Sequence, residues 1–157
     1  MTPSPDDTRA KQSLRLWLKL LTVNGHVEKL VRGKLRDDYD TTLPRFDVMA
    51  MLDFAGEDGL NMGELSRRLM VSNGNVTGIV TRLDKEGLIT RTPDKHDRRT
   101  QWVKLSAKGK AVFKEQAMAH EHWIEHLMKD VSETDMDQLT HMLDNLRQSV
   151  ESNKGDL

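Results

Sequence analysis

Apolar residues recur at helical spacing along most of the chain and divide it into six helical segments and one pair of short strands. From Leu14 to Leu35, Leu16, Leu20, Val23, Val27 and Leu30 form one stripe at 100° per residue. Leu14, Trp17, Leu18 and Leu21 form a second stripe roughly opposite. One stripe suffices for a helix on its own core, so two predict burial against a second body such as a partner subunit. After a polar turn from Arg36 to Leu43, Pro44 suits the first helical position, and Phe46, Val48, Met49 and Leu52 give the next apolar face before Gly56 and Gly59. Asn61 and Glu64 carry the spacing of a capping box ahead of Leu65 and Leu69. Ser72 suits the cap of a fourth helix that turns Val76, Ile79, Val80 and Leu83 inward and stops at Gly87. About three residues separate helices three and four, the connection of a helix-turn-helix.

Two strand-like runs follow, Leu88 to Thr92 and Thr100 to Leu105, around a charged loop; they predict a hairpin, or wing. Ser106 caps a fifth helix through Val112, Phe113, Ala117, Ile124 and Leu127, and Ser132 with Asp135 opens a sixth. The sixth carries Met136, Leu139, Leu143, Leu146 and Val150, a short seam of coiled-coil type or the inner face of a plain amphipathic helix. Residues 1–11 hold two prolines and no periodicity and read as a flexible N-terminal arm, with order expected from near Gln12. The fold class expected is mainly α: a winged helix-turn-helix with a two-stranded β-wing on a helical dimerisation platform. Residues 12–157 make one domain, with the winged lobe at 45–105 and the dimerisation helices at 12–38 plus 106–152.

Composition narrows the picture further. A chain of 157 residues suits one compact domain. It contains no cysteine, which excludes disulfides, thiolate metal sites and cysteine nucleophiles. The first twenty residues lack a signal-peptide pattern, and no apolar run approaches the ~18 residues of a membrane span, so a cytoplasmic location is expected. The net charge of −1 hides an asymmetry. Leu60 to Lys104 holds nine Lys/Arg against five Asp/Glu, a local +4 that leaves −5 for the rest. A central basic lobe is the footprint of a nucleic-acid binder, though a solvated face of mixed charge has the same count.

On a helical wheel, helix four sets Gly74, Gly78, Thr81 and Lys85 opposite its apolar side, flanked by Asn75, Thr77 and Arg82. An exposed mid-helix glycine costs about 1 kcal/mol relative to alanine. Close approach to a DNA groove gives that cost a reason, while Asn, Thr and Arg side chains reach base edges and phosphates. The first turn carries no acid, so its positive end stays open to phosphates, with Ser72 and Asn73 as neutral donors. Lys95, Arg98 and Arg99 crowd the wing loop, where an extended arginine suits a narrow minor groove.

The segment from Asp97, Arg98 and Arg99 through Val103, Leu105, Ser106 and Gly109 resembles the wing of MarR-type regulators. The texts MGELSRRL and VSNGNVTGIVTRLDKEGLI extend the resemblance over nearly the whole chain; Leu105-Ser106 stands where the family often has Leu-Thr, which keeps the capping hydroxyl. The resemblance implies a homodimer built by helices one, five and six, recognition helices in successive major grooves of a palindromic operator, a wing arginine in a minor groove, and repression relieved by a small ligand. DTTLPRFDVM and LMVSNGNVTG are similar to the hydroxycinnamoyl-CoA-responsive, CouR/FerC-like branch. That likeness implies an aromatic acyl-CoA thioester as effector and a role in aromatic catabolism. Such a ligand needs an apolar slot and cations for its phosphates. Trp17, His26, Lys29, Arg32 and Arg36 on helix one, with Arg45 and Phe46 on helix two, are the candidates, and solvated cations beside core aromatics are the plainer alternative.

Two other readings compete. His122 and His126 share a helix face and are placed to chelate zinc, as a similar pair does in some MarR-like proteins, but no third ligand is identifiable beside His120, Glu121 and Glu125. A winged helix that only mediates protein contacts is the second. An enzyme finds no nucleophile elbow, P-loop or cysteine on which to stand.

Overall fold

The computed structural model describes residues 5–69 and 73–157. In chain order the elements are α1 (Pro5–Tyr39), α2 (Leu43–Ala55), a 3-10 turn (Gly56–Asp58), β1 (Leu60–Asn61), α3 (Met62–Leu69), α4 (Asn73–Lys85), β2 (Ile89–Pro93), β3 (Gln101–Leu105), α5 (Ala107–Leu127) and α6 (Glu133–Asn153). This is the mainly α winged-helix class expected from the sequence. The wing is larger than a hairpin, because β1 joins it to make a three-stranded antiparallel sheet in the order β1-β3-β2. Leu60 pairs with Val103 and Asn61 with Trp102. Two residues are too few for alternation to show, so β1 has no sequence signature.

α1 begins at Pro5, ahead of the expected start near Gln12, and continues to Tyr39 through part of the expected polar turn. Proline is tolerated in a first helical turn. Apolar periodicity reports only the portion of a helix that carries an apolar face, and Thr8 to Ser13 are exposed and outside both stripes. Residues 1–4 of the expected arm lie outside the described residues.

The core gathers Val31 and Leu35 of α1, Phe46, Val48, Met49 and Leu52 of α2, Leu65 of α3, Val76, Val80 and Leu83 of α4, Val103 and Leu105 of β3, and Phe113 of α5. α2 is the hub, packing on α1, α3, α4 and β3. Local chemistry sets the helix starts. Thr42 Oγ1 accepts the Arg45 N–H at 3.4 Å. Asn61 Oδ1 accepts the Glu64 N–H at 2.9 Å while the Glu64 carboxylate accepts the Asn61 N–H at 3.3 Å, the reciprocal box expected. Ser106 Oγ accepts the Gly109 N–H at 3.0 Å and donates to the Gly87 carbonyl at 2.6 Å, tying α5 to the turn after α4. Gly109 itself lies against Leu88, where an added Cβ would stand 1.9 Å from the Leu88 carbonyl oxygen.

Two compact units are present, Met1–His120 and Glu121–Leu157. In the second, Ser132 caps α6 by accepting the Asp135 N–H at 3.1 Å. Met136, Leu139, Leu143 and Val150 of the predicted seam are exposed and Leu146 is half-buried. Among the described residues no helix is long and apolar enough to cross a membrane.

Candidate nucleic-acid interface

α4 buries Val76, Val80 and Leu83 completely and Ile79 in part, and this anchorage fixes which residues face outward. Asn75, Thr77, Gly78, Arg82 and Lys85 are exposed. A Cβ added at Gly78 would meet nothing within 4 Å, so the helix itself has no packing requirement for glycine there. Arg82 and Lys85 have no hydrogen-bond or ion-pair partner among the described residues. Ser72 lies outside the described residues, as do the side chains of Asn73 and Gly74. Thr81 differs from its wheel neighbours. It is half-buried, and its hydroxyl accepts from Arg91 Nη2 at 3.2 Å while Arg91 Nε pairs with Asp84 at 3.3 Å.

Arg91 therefore holds the wing strand β2 against α4, and Arg45 does the same from α2. Its Nη2 pairs with the Glu86 carboxylate just past the end of α4. Its Nε–H is buried without an acceptor among the described residues. Arg45 also lines a hollow of about 210 Å³ with Thr42, Asn75, Gly78, Ile79 and Arg82. Neither arginine is identifiable as a clamp from sequence, because their partners depend on tertiary packing. The spacing of 41 residues between Arg45 and Glu86 carries no local signal.

The wing tip is built by two aspartates. Asp94 Oδ1 accepts the His96 and Asp97 N–H groups at 2.8 and 3.0 Å, and its Oδ2 accepts the Trp102 indole N–H at 2.8 Å. The Trp102 bond, followed by those two amides, holds the Asp94 carboxyl below the usual carboxylate range. Asp97 accepts from the Arg99 N–H at 3.0 Å and the Thr100 hydroxyl at 3.3 Å. Both acids are engaged in the loop they shape, and Lys95, Arg98 and Arg99 stay exposed. Below the wing, Glu57 pairs with Lys110 and Lys104, which brings its carboxyl down to about 2.

The residues expected to hold an effector are divided among separate places. Lys29, Arg32 and Arg36 line one groove on α1 with Gly25, Glu28 and Gly33, about 430 Å³. Arg32 is paired with Glu28 at 2.5 Å and Arg36 with Asp37 at 2.9 Å. Trp17, 55% exposed, and His26 lie on α1 without lining that groove. Arg45 belongs to the hollow beside α4 instead. Phe46 is a core residue, 6% exposed, with its ring 5.4 Å from Phe113 and 5.0 Å from His120. An amphipathic period marks an aromatic as inward without saying which neighbours pack against it, and here those neighbours are Phe113 and His120. Beside it, burial pushes the half-buried Asp47 carboxyl up, with Arg32 and His120 opposing. His122 is exposed and 3.9 Å from Glu125. Among the described residues, no group of three or more His, Cys, Asp or Glu side chains is placed to hold a metal.

Residues 41–100, which hold α2, α3, α4, β2 and the wing loop but not β3, match the MarR family model. The crystal structure of a MarR family transcriptional regulator from Silicibacter pomeroyi is 34% identical, with 94% of this chain and 99% of that chain covered and a TM-score of 0.77. A mutant MarR from Escherichia coli, solved in complex with operator DNA, shares the fold at 24% identity, covering 86% and 95% of the two chains with a TM-score of 0.74. BadR of Rhodopseudomonas palustris, a transcriptional activatory protein, is 38% identical over 56 residues, 36% of this chain and 32% of that one. The chain spans less than two thirds of the length of the first curated relatives it matches. Identity of 34% across nearly the whole of both chains, with the family match over the helix-turn-helix and the first part of the wing, establishes that the protein belongs to the MarR family of DNA-binding transcriptional regulators.

Proposed function

We propose that the protein is a homodimer that grips a near-palindromic operator with α4 and the wing and is released by an aromatic acyl-CoA thioester. The observation that carries the DNA part is the outward face of α4. Asn75, Thr77, Gly78, Arg82 and Lys85 are exposed on a helix whose opposite side buries Val76, Val80 and Leu83, close in sequence to the exposed Lys95, Arg98 and Arg99. In this reading Asn75, Thr77, Thr81 and Arg82 read base edges, while Lys85, Ser72, Asn73 and the wing cations set position and affinity. The winged lobe is residues 45–105, and the helical remainder is the dimer platform. Half-exposed Leu14, Leu16, Trp17, Leu18 and Leu21 on α1, and Leu139, Met142 and Leu143 on α6, are apolar surfaces that a second copy would cover. The DNA-bound protein represses where the operator overlaps a promoter. BadR is named a transcriptional activatory protein, so the likeness does not by itself fix the sign of regulation.

The effector part rests on the cation groove of α1 and on the likeness of DTTLPRFDVM and LMVSNGNVTG to the hydroxycinnamoyl-CoA-responsive branch. Lys29, Arg32 and Arg36 would meet the thioester's phosphates, with Trp17 available to the aryl end, consistent with a role in aromatic catabolism. A ligand that prefers the DNA-incompetent dimer a hundredfold, about 2.7 kcal/mol, lowers DNA affinity up to a hundredfold by linkage. The test is a mobility-shift titration on a duplex selected by the protein from random sequence, with p-coumaroyl-CoA, p-coumarate, CoA and Zn²⁺ in parallel. Release by the thioester at concentrations where p-coumarate does nothing is expected. Equal release by the free acid removes the phosphate contact, and release by Zn²⁺ alone returns the assignment to His122 and His126.

A further inference from the structure

We propose that Arg45 is a DNA-contacting residue: it seats one backbone phosphate of the bound duplex in the hollow between the start of α2 and the outward face of α4, beside the base-reading Arg82. The inference rests on α4 being the helix that meets DNA.

The hollow, about 210 Å³, is lined by Thr42, Arg45, Asn75, Gly78, Ile79 and Arg82. No acid lines it and two arginines border it, so its charge favours an oxyanion; the guanidinium fork matches a phosphate with two parallel N–H bonds. Arg82 has no partner among the described residues, so nothing there competes for it. Arg45 is in a different state. Its side chain is 18% exposed, one end is held by Glu86, and its Nε–H is buried with no acceptor among the described residues. A buried N–H without an acceptor is costly. A phosphate that draws the guanidinium off Glu86 supplies the missing acceptor, and Glu86, already 45% exposed, returns to water at little cost. Gly78 keeps the lining open, because a side chain there would project into free space beside the hollow.

An oxyanion could come from the duplex or from solution. The duplex is favoured because Asn75, Gly78 and Arg82 belong to the exposed face of α4 as well as to the hollow, so DNA lying on that face brings a phosphate with it. Arg45 in the first turn of α2 then fixes how α2 sits on the backbone, and Glu86 holds the side chain extended until DNA arrives.

The test uses the full chain and a duplex that the wild-type protein selects from random sequence, read by fluorescence anisotropy across a salt series. Arg45→Ala is expected to weaken binding about tenfold and to reduce the slope of log K against log salt by about 0.9 for each phosphate left unneutralised, hence about 1.8 for a two-fold dimer. Arg45→Lys keeps the charge without the fork, so it keeps the slope and loses part of the affinity; it also serves if Arg45→Ala does not fold. Glu86→Gln, which releases Arg45, binds more tightly. In a scan of single neutral methylphosphonates, one position per half-site weakens the wild type and leaves Arg45→Ala unaffected. Wild-type affinity and slope in Arg45→Ala, with Arg82→Ala impaired, overturn the proposal. Unimpaired binding by both variants overturns the reading of α4 beneath it. If inorganic phosphate raises the melting temperature of the wild type but not of Arg45→Ala, and DNA affinity is equal in the two, the hollow takes a free anion and the DNA assignment fails.

Discussion

Gly78→Ala separates what the fold requires from what DNA requires, because the two are expected to respond in opposite directions. Gly78 lies in the interior of α4, where glycine costs about 1 kcal/mol relative to alanine through its backbone freedom in the unfolded chain. The added Cβ meets nothing within 4 Å, so no clash offsets the gain. The free protein should therefore become more stable by up to about 1 kcal/mol, a rise of roughly 2–4 °C in melting temperature for a chain of this size. On DNA the same methyl group stands between α4 and the groove floor. Inserting a methyl into a packed contact costs about 1–3 kcal/mol, roughly a 5- to 150-fold loss of affinity. Thermal melts of the free protein and anisotropy on a selected duplex measure the two effects separately. Higher stability with unchanged affinity would mean that Gly78 does not face DNA, and lower stability would contradict the open surroundings of this residue.

Three further outcomes follow from the packing. Gly109→Ala sets a Cβ 1.9 Å from the Leu88 carbonyl oxygen, backbone against backbone, and should cost about 3 kcal/mol or more in urea denaturation; a loss under about 1 kcal/mol would refute this close packing of α5. Asn61→Ala removes the acceptor of the Glu64 N–H and should cost about 1 kcal/mol, whereas Asn61→Asp, which keeps an acceptor, should cost less. The Asp94 carboxyl is held below its ordinary 3.8, so its support of the wing is complete above that value and is lost as pH falls through the depressed one. The Trp102 indole N–H resonance should shift and broaden on that acid titration. In Asp94→Asn, one side-chain atom that accepted becomes a donor, and the resonance should be displaced already at neutral pH.

The elements that fold on local signals were legible in the sequence. Val76, Val80 and Leu83 at helical spacing fix the orientation of α4, and that orientation alone leaves Asn75, Gly78, Arg82 and Lys85 exposed. Asn61 with Glu64, Ser106 and Ser132 announced the helix starts through hydrogen bonds that span three residues. What was not legible depends on distant neighbours. β1 is two residues long and exists because β3 pairs with it. The Arg45 and Arg91 clamps need partners brought together by α2, α4 and β2. Phe46 suits a core and a ligand slot equally well by its period, and the packing of Phe113 and His120 against its ring is a tertiary feature with no local signal.

The most direct test of the DNA assignment is selection of duplexes from a random pool by the intact protein, followed by hydroxyl-radical footprinting on the winner. Two symmetric half-sites with centres about 10 to 10.5 base pairs apart are expected, as for a two-fold dimer placing one α4 in each of two successive major grooves. Arg82→Ala should lose preference at one base pair per half-site, by about 1–3 kcal/mol. Lys85→Ala should instead weaken all sequences alike. Recovery of unenriched sequence, or of a single asymmetric site protected by one copy of the protein, would contradict the account.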